Sequence, residues 1–258
     1  MRDIQHKPQR RQDTSWQSVA NKYQKSVGSS GHYYHQHVVI PQAKKLLDLK
    51  PNDSLLDLGS GQGVLARAVR QDIDYLGIDL ATDLIRLAER QNNNPRFKFI
   101  VADITYSLSL PNKDFSHAAI ILALQNVENF SAVISNAAKH LKPQGKFLIV
   151  INHPYFRIPR QTSWGIDEKS KLQYRRVNMY MSPLKIPIDM GPGGEHKLTW
   201  SFHNPLSAYS EALAKSGFTI TKIEEWVSDK ESEGKARKME NRSRAEIPLF
   251  MAILADKR

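Results

Sequence analysis

Short apolar runs alternate with amphipathic stretches through the middle of the chain. The runs predict five strands, at residues 54–58, 75–80, 97–101, 115–124 and 146–151. Apolar residues at helical spacing predict helices between them, at residues 64–70, 82–90 and 131–141, with Thr82 as the N-cap of the second. Nearly continuous apolar strands are typical of a parallel sheet that helices cover on both faces. The pattern therefore predicts a doubly wound α/β fold.

The chain before and after this region follows other patterns. A polar stretch predicts a disordered tail over residues 1–15, and helical segments follow at residues 16–34 and 38–49, with a glycine hinge at 28–31. Five prolines between residues 153 and 199, and a turn at 191–194, predict an irregular inserted cap. The last elements are a helix at 205–216, a strand at 219–226, a charged loop at 228–246 and a strand at 249–254.

Charge is distributed unevenly along the 258 residues. The net charge is +11, but residues 51–150 are neutral, whereas the segments before and after them carry +6 and +5. Basic flanks fit a nucleic-acid partner, an anionic substrate or solvated ends. No stripe of interleaved aromatic and basic residues favours single-stranded nucleic acid.

Composition excludes several classes of protein. The chain has no cysteine, which excludes disulfides, thiolate metal sites and a cysteine nucleophile, and fits a cytoplasmic protein. We expect neither a membrane span nor a secretory signal, because no apolar run is long enough and the N-terminus lacks a hydrophobic stretch.

A glycine-rich turn follows the first predicted strand, within the sequence LLDLGSGQG at residues 55–63. Glycine lets the backbone pass close to a ligand, and the next helix start offers free N–H groups to a polar or anionic group. The dinucleotide fingerprint G-x-G-x-x-G is broken, because Val64 stands at its third glycine. Asp57 instead precedes the first glycine by two residues. The turn therefore disfavours an NAD-dependent oxidoreductase.

Two further carboxylates end the next two predicted strands. Asp79 ends the second strand, where an acidic side chain can accept both hydroxyls of a ribose. Asp103 and Ile104 follow the third strand, where a carboxylate and an apolar neighbour can contact the edge and face of an adenine. Because open α/β sheets bind ligands at the carboxyl ends of their strands, we expect one shared site.

Together these elements resemble the class I, Rossmann-like methyltransferases that use S-adenosylmethionine (SAM). The match covers residues 54–151, as LLDLGSGQG, GIDL, VADI, AAIILALQNVEN and LKPQGKFLIV in that order. The resemblance implies a seven-stranded, mostly parallel sheet whose last strand is antiparallel. It also implies one domain over residues 16–258, divided into an N-terminal helical lid (16–50), a SAM-binding core (51–152), a substrate cap (153–203) and a C-terminal helix and hairpin (204–258).

The resemblance also implies roles for individual residues. The glycine turn lines the methionine part of SAM, through Gly59, Ser60, Gly61 and Gln62. Asp57 helps to hold the amine of SAM, Asp79 binds its ribose with Leu80 beside it, and Asp103 and Ile104 frame its adenine. The segment after the fourth strand approaches the transferable methyl, through Leu122, Ala123 and Gln125.

Tyr33 and Tyr34 lie in a histidine-rich segment at residues 32–37. We interpret them as a lid over the cofactor, where a ring face or hydroxyl meets the sulfonium; aromatic packing is the alternative. Three histidines so close together suggest a metal site, but His32 and His35 have no carboxylate partner nearby in sequence, and we predict no metal.

The sequence Asn-His-Pro-Tyr at residues 152–155 follows the fifth strand. It superficially resembles the N-P-P-Y motif of methyltransferases that act on exocyclic amines of bases. That motif belongs after the fourth strand and has proline where this chain has His153, so we reject it. We predict His153 as a general base at the carboxyl end of the sheet, with a structural histidine as the alternative.

The cap concentrates aromatic and guanidinium groups, which can enclose a ring or a carboxylate. The predicted substrate-binding residues are Asn126, Arg157, Trp164, Tyr174, Arg175, Tyr180 and His203. For each cap residue the alternative is a packed cap that only shields the site.

These observations predict a cytoplasmic enzyme that transfers a methyl group from SAM to oxygen or nitrogen of a small-molecule acceptor and releases S-adenosylhomocysteine. One alternative is an RNA or protein methyltransferase that uses the basic flanks. Another is a SAM-binding protein without catalysis. The sequence identifies neither the acceptor nor the oligomeric state.

Overall fold

The structure, a computed structural model, describes residues 32–110, 114–189 and 198–258. Four predictions lie outside these residues: the disordered tail, the helical segment before residue 32, the hinge at 28–31 and the turn at 191–194. Within the described ranges, none of the helices combines the length and apolar character needed to cross a bilayer.

Secondary structure follows the predicted alternation through the core. The strands are β1 (Ser54–Leu58), β2 (Asp74–Asp79), β3 (Phe97–Val101), β4 (Phe115–Ile121), β5 (Leu141–Asn152), β6 (Thr162–Asp167), β7 (Leu172–Val177), β8 (Leu184–Asp189), β9 (Leu198–His203), β10 (Phe218–Trp226) and β11 (Phe250–Lys257). The helices are α1 (Ile40–Leu47), which a π-helical turn (His35–Val39) precedes, α2 (Val64–Ala68), α3 (Thr82–Gln91), α4 (Phe130–His140), α5 (Leu206–Lys215) and α6 (Arg237–Glu246).

Seven of these strands form one sheet, in the order β10-β11-β5-β4-β1-β2-β3. Strands β1 to β5 pair in parallel, whereas β11 is antiparallel to both β5 and β10. The predicted mostly parallel sheet with an antiparallel last strand is confirmed. The strand order reverses between β1 and β4, so the carboxyl ends of these two strands border the crevice where such sheets bind ligands.

The sheet separates two apolar cores, because alternate strand residues point to opposite faces. Leu55 of β1 packs in the core beneath α1, α2 and α3, whereas Leu56 and Leu58 pack in the core beneath α4 and α5. Helices therefore cover both faces, as the continuous apolar strands predicted.

The cap differs from its prediction as an irregular insertion. It contains two antiparallel hairpins, β6–β7 and β8–β9, each forming a separate two-stranded sheet. Sequence analysis missed these strands, although β8 (LKIPID) and β9 (LTWSFH) alternate apolar with polar residues and so offered an available signal. The signal in β6 and β7 is weaker, and their residues are all exposed or only partly buried.

Three other predictions were wrong in detail. Ala81 caps α3 instead of Thr82, because the N–H groups of Leu84 and Ile85 already donate to its carbonyl. Strand β4 ends at Ile121, where Leu122 turns into the left-handed region. The charged loop contains α6, which packs on β7 through a 2.6 Å hydrogen bond from Ser243 Oγ to Gln173 Oε1.

Candidate cofactor and acceptor site

The glycine turn after β1 has a backbone that glycine adopts most easily. Gly59, Gly61 and Gly63 have φ angles of 73°, 54° and 73°. A Cβ on Gly59 would lie 2.6 Å from Ala123 Cβ, so the segment after β4 packs directly on the turn. A Cβ on Gly61 would meet nothing within 4 Å. The backbone is therefore closely packed at Gly59 and open to a ligand at Gly61.

Asp79 connects this turn to the neighbouring strand ends. Its Oδ2 accepts a 2.8 Å hydrogen bond from Gly61 N–H, and its Oδ1 accepts one of 2.8 Å from Ala81 N–H. Ala102 N–H donates to the Asp79 carbonyl at 3.1 Å, and this bond attaches the start of the loop after β3 to the end of β2. Burial raises the pKa of the Asp79 carboxyl, and the N–H bonds oppose that shift. Leu80, between Asp79 and Ala81, is partly buried.

Asp57 is 2% exposed and accepts a hydrogen bond from the Tyr75 hydroxyl. Burial raises the pKa of Asp57 to about 7; the Tyr75 hydrogen bond lowers that pKa and the charge of Asp79 raises it. Sequence analysis missed Tyr75. Asp57 pairs with Gly77 on β2, which places Tyr75 on the same face two residues away, and only the strand register shows this.

Asp103 and Ile104 lie in a loop that a buried amide holds in place. Asp103 Oδ1 accepts from Thr105 N–H at 2.9 Å and from its Oγ1 at 2.7 Å. Asn136 Nδ2, from α4, donates to the carbonyls of Ile104 and Tyr106 at 2.8 and 2.7 Å. Sequence analysis missed Asn136, although a polar residue among the apolar positions of a helix was an available signal.

The segment after β4 brings polar side chains toward the glycine turn. Gln125 Nε2 and Asn126 Nδ2 donate to the Leu122 carbonyl at 2.8 and 3.4 Å, and Leu122 has a φ of 53°. Ser60 Oγ and Gln125 Oε1 are buried, and neither has a hydrogen-bond partner within the described part of the chain. Buried polar atoms normally have partners, so these two fit a polar ligand at the turn.

Tyr33 and Tyr34 contact the loop that follows β10. Tyr33 donates to Asp229 Oδ2 at 3.0 Å, and the Tyr34 hydroxyl lies 3.2 Å from Ser228 Oγ. The Lys230 ammonium lies 4.3 and 5.1 Å from the two ring centres. Packing of the lid accounts for these contacts, and contact with a cofactor stays a prediction.

The neighbouring histidines pack as aromatic side chains. The rings of His32 and His35 are 4.1 Å apart, and burial, with the charge of His32, lowers the pKa of His35 to about 4. Over the ranges that the structure describes, no three histidine, aspartate or glutamate side chains converge as a metal site would require.

His153 has both ring nitrogens engaged. Its Nδ1 accepts from the N–H groups of Tyr155 and Phe156 at 3.2 and 3.3 Å, so its Nε2 carries the proton and donates to Glu225 at 2.6 Å. Burial lowers the pKa of His153, and Glu225 opposes that shift. These contacts favour the structural alternative, and the role of His153 as a general base stays a prediction.

Arg157, Arg175 and Trp164 come together in the cap. The Arg175 guanidinium lies 5.1 Å from the Trp164 ring centre, and it donates to the Phe156 carbonyl at 3.0 Å and to Thr162 Oγ1 at 2.8 Å. The Phe156 contact places Arg175 beside the residue that precedes Arg157. Three of the seven predicted substrate residues therefore form one cluster.

The remaining cap residues do not join this cluster. Tyr174 lies on the opposite face of β7 from Arg175, with its ring against Gly165. The Tyr180 hydroxyl accepts from Leu206 N–H at 3.1 Å, and its carbonyl accepts from His203 Nε2 at 2.7 Å. These bonds hold Tyr180 and His203 in the fold. The structure does not bring Tyr174, Tyr180 or His203 to the arginine cluster, and their contact with an acceptor stays a prediction.

Known proteins are similar to the part of the chain that contains the glycine turn and the neighbouring strand ends. Residues 56–149 match a family model described as a methyltransferase domain. A demethylmenaquinone methyltransferase from Tropheryma whipplei is 31% identical over 115 residues, which are 43% of this chain and 47% of that protein. A fatty-acid O-methyltransferase from Mycolicibacterium smegmatis is 30% identical over 101 residues, 39% of this chain and 36% of that protein. The chain thus spans half or less of the length of these relatives.

Solved structures share the architecture. The crystal structure of a SAM-dependent methyltransferase from Mesorhizobium loti superposes with a TM-score of 0.67 at 24% identity, covering 84% of this chain and 96% of that one. At this identity the likeness shows the fold.

Proposed function

We propose that this chain is a class I, Rossmann-like enzyme that transfers a methyl group from SAM to oxygen or nitrogen of a small-molecule acceptor and releases S-adenosylhomocysteine. The match of residues 56–149 to a methyltransferase-domain family model and the shared fold support this proposal. The observation that carries the proposal is the open glycine turn at Gly61, with Asp79 beneath it and two buried polar atoms, Ser60 Oγ and Gln125 Oε1, that lack partners in the described residues.

The residues at this turn fit SAM, whose sulfonium supplies an electrophilic methyl group when the cofactor is bound. Asp79 would hold the ribose, since each of its carboxylate oxygens accepts one backbone N–H and keeps a lone pair. Asp103 and Ile104 would frame the adenine in the loop that Asn136 holds. Asp57 would hold the amine in its ionised form, and Ser60 and Gln125 would gain hydrogen-bond partners.

The names of two relatives support a small-molecule acceptor, because they refer to a quinone and to a fatty acid. Within this chain, the cap contributes Arg157, Arg175 and Trp164 next to the carboxyl end of β5. We assign no general base, because His153 holds structural hydrogen bonds and a base helps only when the acceptor atom is protonated. The cytoplasmic location and the division into lid, core and cap stay predictions.

Calorimetric titration with SAM and with S-adenosylhomocysteine tests the cofactor. We expect binding by the wild type and a loss of at least about tenfold in Asp79→Ala, because charge-assisted hydrogen bonds are among the stronger ones. Asp74→Ala is the matched control, since Asp74 is exposed at the other end of β2. Absence of binding by the wild type would overturn the proposal.

Release of S-adenosylhomocysteine tests the acceptor class. Purified protein and SAM are incubated with the low-molecular-mass fraction of a cell extract, and separately with its RNA and protein fractions. We expect product with the first fraction. Product only with RNA or protein would favour the alternative that uses the basic flanks, and no product with any fraction would favour a non-catalytic SAM-binding protein.

A further inference from the structure

Arg157 and Arg175 lie close enough in the cap for their charges to interact, and among the described residues neither has a carboxylate partner. Arg175 donates to the carbonyl of Phe156, the residue before Arg157. Burial, and then the positive charge of Arg157, lower the pKa of Arg175. Among the described residues, no carboxylate oxygen lies within 4.0 Å of either guanidinium, whereas Arg70 and Arg96 pair with Asp72 and Asp74.

One member of this pair, Arg175, is held in place by the surrounding cap. Arg175 is fixed by the Phe156 carbonyl at 3.0 Å, by Thr162 Oγ1 at 2.8 Å and by the Trp164 ring. A guanidinium has five N–H donors, so Arg175 retains donors beyond these two bonds. Arg157 is exposed. Two adjacent positive charges repel each other, and an anion between them would remove that repulsion.

The position of the pair relates it to the candidate site. Arg157 N–H donates to the His153 carbonyl at 2.9 Å, so Arg157 lies in the first turn after β5. Val150 of β5 pairs with Ile121 of β4, next to the segment that carries Gln125 and Asn126. The pair therefore lies past the same edge of the sheet as the glycine turn.

We propose that Arg157 and Arg175 bind an oxyanion of the methyl acceptor, either a carboxylate or a phosphate, and that the Trp164 ring contacts the apolar carbons beside it. Guanidinium groups suit this task, because their planar N–H donors match both oxyanions. Trp164 is 37% exposed, so its ring is accessible to such carbons. The identification of the bound molecule as the acceptor rests on the proposed function, whereas the anion site itself does not.

Three probes of equal chain length test the site in calorimetric titrations: octanoate, octyl phosphate and octanol. We expect both anions to bind the wild type and octanol to bind much more weakly. Arg157→Gln weakens both anions by about tenfold, because it removes charge-assisted hydrogen bonds. Arg176→Gln is the matched control, since Arg176 is an exposed arginine on the opposite face of β7, and it changes affinity by less than about twofold.

The variants separate binding from folding. Arg175→Gln removes the bonds to Phe156 and Thr162 and so can disturb the hairpin. Arg157→Gln breaks no guanidinium hydrogen bond to any residue that the structure describes. Tighter octyl phosphate binding assigns a phosphate, and tighter octanoate binding assigns a carboxylate. The proposal is overturned if neither anion binds, if octanol binds equally well, or if Arg176→Gln weakens binding as much as Arg157→Gln does.

S-adenosylhomocysteine titrations on the same samples separate this inference from the proposed function. We expect Arg157→Gln to retain wild-type affinity for S-adenosylhomocysteine. A wild type that binds octanoate but no S-adenosylhomocysteine would keep the anion site and overturn the methyltransferase proposal. The reverse result would overturn the anion site alone.

Discussion

The core at residues 51–152 and the cap at 153–203 are built in different ways. In the core, glycine φ angles and buried strands between two helical layers position the turn and the carboxylates of the proposed cofactor site. In the cap, two hairpins expose large apolar side chains, including Ile166 at 51%, Tyr174 at 52% and Met181 at 68%. Substitutions in the core should therefore affect folding and cofactor binding together, whereas substitutions in the cap should affect acceptor binding alone.

Gly59→Ala should produce the largest effect, because it adds both backbone strain and a clash. The φ of 73° disfavours alanine, and the new Cβ would lie 2.6 Å from Ala123 Cβ. We expect the free energy of unfolding to fall by about 3 kcal/mol, measured by urea denaturation.

Gly61→Ala is the matched control, since its φ is also positive but its Cβ would meet nothing within 4 Å. We expect a loss of about 1 kcal/mol in this variant, together with weakened S-adenosylhomocysteine binding. If the two substitutions lowered the free energy of unfolding equally, the clash with Ala123 would contribute nothing to the loss in Gly59→Ala.

Asn136→Ala should destabilise the core by about 2 kcal/mol, because the carbonyls of Ile104, which is buried, and Tyr106 lose their donor. We also expect weaker S-adenosylhomocysteine binding, since the Asp103 loop loses its attachment to α4. Asn129→Ala serves as the comparison on the same helix: it removes an exposed N-cap and should cost about 1 kcal/mol without affecting binding. Unchanged S-adenosylhomocysteine binding in Asn136→Ala would show that this loop does not contribute to the cofactor site.

Cofactor binding should depend on pH through Asp57, whose pKa burial raises to about 7. An ammonium requires the ionised carboxylate, so we expect S-adenosylhomocysteine affinity to be about tenfold lower near pH 6 than near pH 8. Tyr75→Phe removes the hydrogen bond that lowers this pKa and should move the midpoint to higher pH. A midpoint unchanged by Tyr75→Phe would contradict this role of Asp57.

Asp57 also determines whether the free energy of unfolding rises or falls with pH. A carboxyl whose pKa is raised on folding stabilises the ligand-free protein below its unfolded pKa, and this stabilisation is lost as pH rises through about 7. Asp57→Asn should therefore flatten the fall in unfolding free energy between about pH 4 and pH 7. Asp74→Asn, at an exposed position, should leave that slope unchanged.

Tyr174→Ser should have the smallest effect, because Tyr174 is 52% exposed on the outer face of a hairpin. We expect the free energy of unfolding to change by less than about 0.5 kcal/mol and S-adenosylhomocysteine affinity to stay the same. The buried Tyr209→Ser should instead cost at least about 3 kcal/mol. A large loss of stability in Tyr174→Ser would show that the cap is integral to folding.

The sequence by itself determined the fold class and the location of the candidate cofactor site. Both depend on local patterns: apolar periodicity distinguishes strands from helices, and a glycine turn after a strand constrains the backbone within a few residues. Asp57, Asp79 and Asp103 could be placed near each other because parallel strands end at one edge of the sheet.

Only the tertiary structure decided the roles of groups whose partners are distant in the chain. Glu225 lies 72 residues from His153 and forms a hydrogen bond with its Nε2. Tyr75 reaches Asp57 through a strand register that turns and packing fix together. Arg175 approaches Arg157 because a hairpin folds back onto the end of β5. Such contacts depend on how separate elements pack, and the local periodicity of the sequence does not predict that packing.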